Sequence, residues 1–242
     1  MRDTEPFSAP VPGPKQVAIV QSNYIPWKGY FDMIGRVDEF ILLDEVQYTK
    51  RDWRNRNRIK TPQGTSWLTV PVQVKGKYHQ RIDETRVADG GWAQTHWKTL
   101  SHAYASAPFF ETYRDRIAAL YEECGELERL SDVNRRLLEG VAALLGIATP
   151  LSWSTDYEAT AGRTERLVDL CVQAGAGVYL SGPAAKSYLD ESLFARQGVA
   201  VAWMNYGEYL EYPQAHPPFD HHVSCLDLLF SVGPDARRFM TA

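Results

Sequence analysis

The residues best suited to chemistry in this chain gather where apolar runs end. Val17–Val20 gives way to Gln21-Ser22-Asn23-Tyr24, and Phe40–Leu43 gives way to Asp44-Glu45-Val46-Gln47. Later apolar runs end alike, at Ser154-Thr155-Asp156, Ser181-Gly182 and Asn205-Tyr206. Short apolar runs that stop abruptly at hydrogen-bonding residues read as buried parallel strands. Ligands of open parallel sheets bind outside the carboxyl ends of the strands, which makes these polar termini one candidate site. A carboxylate at such an end, Asp44 or Glu45, can act as a general base or orient an arginine. Polar strand ends also occur where nothing binds, because surface loops are ordinarily polar.

A second group is cationic. Lys50, Arg51, Arg54, Arg56, Arg58 and Lys60 fall within eleven residues. On a strand, Arg54, Arg56, Arg58 and Lys60 point one way, while Asn55 and Asn57 point the other. The guanidinium fork matches carboxylate and phosphate, so Arg56 and Arg58, with Lys60 beside them, are candidate ligands for an anionic group. The competing reading is a solvated charged edge strand that resists aggregation. A third group is LSGPAAKSY, in which Ser181, Gly182, Lys186 and Tyr188 follow an apolar run. Backbone N–H groups and one ammonium can cradle a phosphate there, although the GxxxxGK[ST] spacing is absent. A turn closing onto a helix accounts for that stretch equally well.

Histidines offer less. His96 and His102 fall on different faces of a helix, and His216, His221 and His222 lie near the C-terminus. No metal site is predicted from these ligands, and neither GxSxG nor HExxH is present. The three cysteines, Cys124, Cys171 and Cys225, are far apart and lack CxxC spacing; buried thiols are expected.

These groups need elements to position them. Residues 1–15 carry four prolines and no periodicity, which reads as a disordered arm. Residues 16–242 read as one α/β domain. Strands are expected at 16–21 and 39–43 around a helix from Trp27 to Arg36, within the span of one βαβ unit. Pro26 keeps Ile25 out of that helix. A hairpin is expected from 55–60 and 66–74, with its turn at Thr61-Pro62-Gln63-Gly64. A helical insertion covers about 91–146, its last helix starting with Ser131 as N-cap. Strands at Leu151–Ser154, Val178–Ser181 and Val199–Met204 then alternate with helices at Thr164–Ala174 and Asp190–Gln197. Alternation of this kind predicts a mostly parallel, Rossmann-like sheet with helices on both faces. A proline-rich loop, Tyr212–Phe219, precedes a short apolar helix at Cys225–Phe230.

The chain has 242 residues and a net charge of −4, with a pI of about 5.9. That balance argues against general nucleic-acid binding, which needs a broad basic surface. A local basic cluster on an acidic protein suits a small anion. No apolar segment is long enough to span a membrane, and no secretory h-region precedes the fold; a cytoplasmic protein is expected.

Four runs carry a resemblance to a known family. They are VAIVQSNYIPWKGYFDMIGRVDEFILLDEVQYTKRDWRNRNRIKTPQGTSWLTVPV, HWKTLSHAYASAPFF, YLSGPAAKSYLDESLFARQGVAV and YPQAHPPFDHHVSCLDLLFSVG. Together they resemble the WbqC-like family over about residues 16–234. The resemblance implies a place in bacterial surface-polysaccharide or natural-product biosynthesis. It implies attachment of an acyl or aminoacyl group, such as glycyl, to an amine such as an amino sugar. The donor is then a carrier-protein thioester or an aminoacyl-tRNA. On that reading Asp44 or Glu45 deprotonates the amine and Gln21, Asn23, Tyr24, Gln47 and Asn57 position it. Arg56, Arg58, Lys60 and Lys186 then hold the anionic part. The first βαβ unit and the Ser-Gly-x-x-x-Lys loop are also similar to HUP-type nucleotide-binding domains, without a HIGH motif. Use of ATP by a ligase or nucleotidyltransferase, and a non-catalytic binding role in a biosynthetic complex, therefore stay open as alternatives.

Overall fold

The computed structural model describes residues 13–158, 162–207 and 209–240; residues 1–12 of the proline-rich arm lie outside them. The first strand, β1 (Gln16–Val20), and the second, β2 (Glu39–Leu42), flank helix α1 (Lys28–Gly35). Trp27 is extended at the N-cap of α1, so the helix starts one residue later than expected. Strands β3 (Arg56–Thr61) and β4 (Gly64–Thr69) form an antiparallel hairpin with Thr61 paired to Gly64. Only Pro62 and Gln63 lie between the strands, so the second strand starts earlier than expected. It also ends earlier, just before Pro71, which has no N–H to give to a ladder.

Helices α2 (Trp92–Tyr104), α3 (Phe110–Gly125) and α4 (Leu130–Leu144) follow. Helix α4 begins one residue before Ser131, so Ser131 is not its N-cap. The Leu130 N–H instead bonds to the Thr85 carbonyl at 2.9 Å, and Ser131 is buried. The chain then alternates β5 (Leu151–Trp153), α5 (Thr164–Gln173), β6 (Val178–Ser181), α6 (Glu191–Arg196) and β7 (Ala200–Trp203), and closes with α7 (Cys225–Val232). Gly175 and Gly198, just beyond α5 and α6, have φ of 70° and 73°, which glycine adopts without penalty.

Five strands make one parallel sheet in the order β5-β2-β1-β6-β7. Counting the sheet's own strands along the chain, the order is 3-2-1-4-5. The direction of winding therefore reverses between β1 and β6, and a crevice opens at the carboxyl ends of strands at such a point. Alternate residues of the strands feed two cores. Val17, Ile19, Ile41 and Tyr179 pack with Leu167, Leu170 and Cys171 of α5 and Phe194 of α6. Ala18, Phe40, Leu42 and Leu180 face α1, α7 and the α2–α4 block. The fold is thus α/β, a five-stranded parallel sheet flanked by helices with a separate antiparallel hairpin, as the strand–helix alternation predicts.

The C-terminal region straps this frame together. Buried Asp227 on α7 accepts hydrogen bonds from the Tyr104 and Tyr212 hydroxyls at 2.9 and 2.8 Å. Tyr209 donates to Asp32 at 2.6 Å, and Lys28 Nζ donates to the Leu210 carbonyl at 2.9 Å. The Lys28 ammonium sits over the rings of Tyr209 and Tyr212, and burial lowers its pKa to about 8. No described helix is long and apolar enough to cross a membrane.

Candidate functional site

A cavity of about 540 Å³ opens at the reversal between β1 and β6. Gln21 enters it from the end of β1, and Ser181 and Gly182 from the end of β6. Trp27, Tyr30, Tyr188 and Tyr206 supply aromatic lining, with the Tyr206 ring edge-on to Trp27 at 5.1 Å. Arg163 and Arg166 line it from the start of α5. Cations are unfavourable beside a helix N-terminus and anions favourable, so two arginines there concentrate positive potential on whatever enters. Arg166 Nη1 also lies 3.3 Å from Glu45 Oε1, and the Arg163 guanidinium sits 3.8 Å from the centre of the Tyr188 ring. Of the residues singled out in the sequence, the cleft thus gathers Gln21, Ser181, Gly182 and Tyr188, with Glu45 at its edge through Arg166.

Asp44 points elsewhere. It is 1% exposed and accepts from the Ser22 N–H at 2.8 Å and the Ser22 hydroxyl at 2.6 Å. Asn134 Nδ2 in turn donates to Ser22 Oγ at 2.9 Å. Burial pushes the Asp44 carboxyl pKa up, and the Ser22 donors oppose that. The carboxyl ties the loops after β1 and β2 together. It lines a separate recess of about 150 Å³ with Glu45, Asp83, Arg129 and Asp132. Among the described residues, no cluster of three or more His, Cys, Asp or Glu side chains is placed to hold a metal ion.

The loop after β1 connects the cleft to a second, smaller cavity. Arg54 donates from one guanidinium to Asn23 Oδ1 and, at 3.3 Å, to Gln21 Oε1. Gln21 faces the cleft, while Asn23 faces a cavity of about 230 Å³ that Asn57, Trp27, Trp53 and His222 also line. Within this loop Ile25 has φ of 34°, a left-handed conformation that strains a β-branched residue. The Asn57 amide holds it there, donating to the Tyr24 and Ile25 carbonyls at 3.1 and 3.0 Å. The Tyr24 side chain is fully buried and turned away from both cavities. Its hydroxyl lies 2.7 Å from His96 Nδ1 and 2.8 Å from the Tyr121 hydroxyl.

The basic cluster does not stay together. Arg54 precedes β3 and serves the loop just described. Arg56 and Arg58 lie over the Trp67 ring at 4.1 and 5.9 Å, and Arg58 lies 3.4 Å from Asp220. Lys60 is 1% exposed and donates to the Pro218 carbonyl. Outside the cleft lining, Lys186 sits over Trp203 at 5.4 Å, and Gln47 donates to the Tyr78 carbonyl at 2.9 Å on the surface.

Covalent catalysis by a thiol has no support in this arrangement. All three cysteines are buried, and burial raises the thiol pKa of Cys124 and Cys171 to about 12 and pushes Cys225 up as well. A thiolate is what attacks, and none of the three lines the cleft. Sequence reasoning missed Arg163, Arg166 and Trp27, whereas Tyr206 was among the polar strand ends expected at the site. The arginines did carry a signal, since two cations at the start of a helix run against the macrodipole. Trp27 carried none that separates a cleft wall from core.

Comparison with known proteins gives one family and one close relative. The model of the WbqC-like protein family matches residues 21–239. "Uncharacterized protein Rv1507c" of Mycobacterium tuberculosis (strain ATCC 25618 / H37Rv) is 53% identical over 226 residues, covering 93% of this chain and 97% of that protein. No solved structure gives a significant match.

Proposed function

The chain belongs to the WbqC-like protein family, and from that premise we propose that it is a group-transfer enzyme of surface-polysaccharide or natural-product biosynthesis. It attaches an acyl or aminoacyl group, such as glycyl, to an amine such as that of an amino sugar. The observation that supports this reading is the cleft at the strand-order reversal. It combines aromatic walls with Gln21, Ser181 and two arginines in about 540 Å³. Such a site suits a ligand with an apolar body and an anionic group, which describes the donor side of the reaction.

With no activated thiol in the cleft, transfer is direct. The amine nitrogen attacks the donor carbonyl, the C–N bond forms, and the donor C–S or C–O bond breaks. Glu45 takes the amine proton, and the departing thiolate or alkoxide picks up a proton from water. Glu45 suits the role of base better than Asp44, because Asp44 spends both oxygens on Ser22. Orientation of two bound reactants supplies much of the rate on this scheme.

The test is to incubate the protein with glucosamine 1-phosphate and either glycyl-tRNA or an acyl-pantetheine thioester, then weigh the products. The expected result is an acceptor heavier by one acyl group, formed by the native protein and strongly reduced in Arg166→Ala. A second reading, ATP-dependent ligation or nucleotidyl transfer, draws on the 3-2-1-4-5 strand order. Thermal stabilisation by ATP, with none from either acyl donor, would put that reading first.

A further inference from the structure

We propose that the β3–β4 hairpin and the loops flanking it form a docking surface for single-stranded nucleic acid. The surface lies outside the cleft lining, and the proposal stands whether or not the transfer reading does.

Charge is divided unevenly along the chain. Residues 48–81 carry nine Lys and Arg against one carboxylate, Asp52, so this segment holds +8 while the rest of the chain holds −12. The overall −4 hides that division. A basic segment on an acidic remainder points to a polyanionic partner taken locally. Part of the charge is committed within the fold. Arg58 lies 3.4 Å from Asp220, Arg81 pairs with Asp83 at 2.8 Å, and Lys60 is buried. Lys50, Arg51, Lys75 and Lys77 are exposed and make no ion pair among the described residues.

Aromatic rings accompany these cations. Four aromatic side chains are exposed among the described residues, and three of them, Trp53, Trp67 and Tyr78, lie in this segment at 39, 44 and 71%. Contacts join them into one strip. Lys50 Nζ lies 5.3 Å from the centre of the Tyr78 ring, and the carbonyl of the next residue, Arg51, accepts from the Arg56 guanidinium. That guanidinium sits over the Trp67 ring at 4.1 Å, and Trp67 lies 5.5 Å from Trp53. Bases stack on rings set out in this way while ammonium and guanidinium groups meet the phosphates. A duplex keeps its base faces within its own stack, so the strip selects single strands.

A membrane surface suits the strip less well. Interfacial anchors sink aromatic and aliphatic side chains into the lipid boundary. Trp53 and Trp67 stay more than half covered, and the exposed large aliphatics among the described residues, Val172 and Leu210, lie outside the segment. Trp53 also lines the smaller cavity beside Trp27, which lines the cleft, so the strip ends at the approach to the cleft.

Fluorescence anisotropy of the full-length protein with a labelled oligouridylate of about 12 nucleotides, titrated at several salt concentrations, tests this. Saturable binding is expected, weakened about tenfold in Trp53→Ala and in Tyr78→Ala by the loss of one stacking ring. Lys50→Gln combined with Arg51→Gln should flatten the slope of log affinity against log salt by about 0.7 for each phosphate contact removed. Both rings are at the surface, and Trp53→Ala keeps the backbone carbonyl that accepts from the Tyr24 N–H at 3.0 Å; urea unfolding checks that each variant is folded. Absence of binding, or native affinity in either ring variant, would overturn the proposal. So would equally tight binding of a duplex of the same length, of polyglutamate or of phosphatidylglycerol vesicles. Because neither acyl donor nor amine is added, the outcome is separate from that of the transfer assay.

Discussion

Glu45 Oε1 and Arg166 Nη1 meet at 3.3 Å across the edge of the cleft, joining the loop after β2 to the start of α5. Neighbours in sequence that line one recess, Asp44 and Glu45 thus pair differently, Asp44 with Ser22 and Glu45 with Arg166. If Glu45 is the base, Glu45→Gln lowers kcat by about 100-fold or more. The ion pair is partly exposed, so stability changes by no more than about 1 kcal/mol. Steady-state kinetics beside urea denaturation checks both; an unaltered kcat removes Glu45 from the mechanism.

Asp44→Asn is expected to do the reverse. It places an amide against the N–H and hydroxyl of Ser22, both of which now donate to the carboxylate. At a site this buried the mismatch costs about 2 kcal/mol, read as a lower urea midpoint with unchanged m-value. A variant as stable as the native protein would mean that the loops after β1 and β2 do not depend on this contact.

His96 gives stability a pH dependence. Burial lowers its pKa to about 4, with a hydrogen bond to the Thr69 backbone opposing the shift; in the unfolded chain it titrates near about 6.5. The unfolded state therefore binds the extra proton between these values. The His96 contribution is complete above pH ~6.5 and is lost as pH falls towards about 4, by up to about 3 kcal/mol. His96→Phe removes that titration. The stability gap between native and variant should shrink as pH falls through this window, and a constant gap would refute the assignment.

Asn57 holds the strained loop. Asn57→Ala leaves the Tyr24 and Ile25 carbonyls without their amide partner and frees Ile25 from φ of 34°. We expect a loss of about 1–3 kcal/mol and faster hydrogen exchange at residues 22–25. Exchange no faster than in the native protein would show that the loop holds its conformation unaided.

The sequence by itself determined the elements. Apolar runs ending in polar residues marked every strand of the sheet; the central strands β1, β2 and β6 are largely buried, and the edge strands β5 and β7 are only half so. Gln21, Ser181 and Gly182 were legible as cleft residues because they sit at those polar ends. What only the tertiary structure decided is which polar groups meet. Arg163 and Arg166 line the same cleft as Gln21 because β1 lies beside β6, although more than 140 residues separate them from it in the chain. Asp44 and Glu45 line one small recess yet take different partners. One finds Ser22 in the interior and the other Arg166 at the cleft. Lys60 and Tyr24 look like site residues in the sequence, yet burial sets them among Pro218, His96 and Tyr121. Periodicity is local and survives in the sequence. The pairing of side chains is long-range and depends on the order in which the strands are laid down.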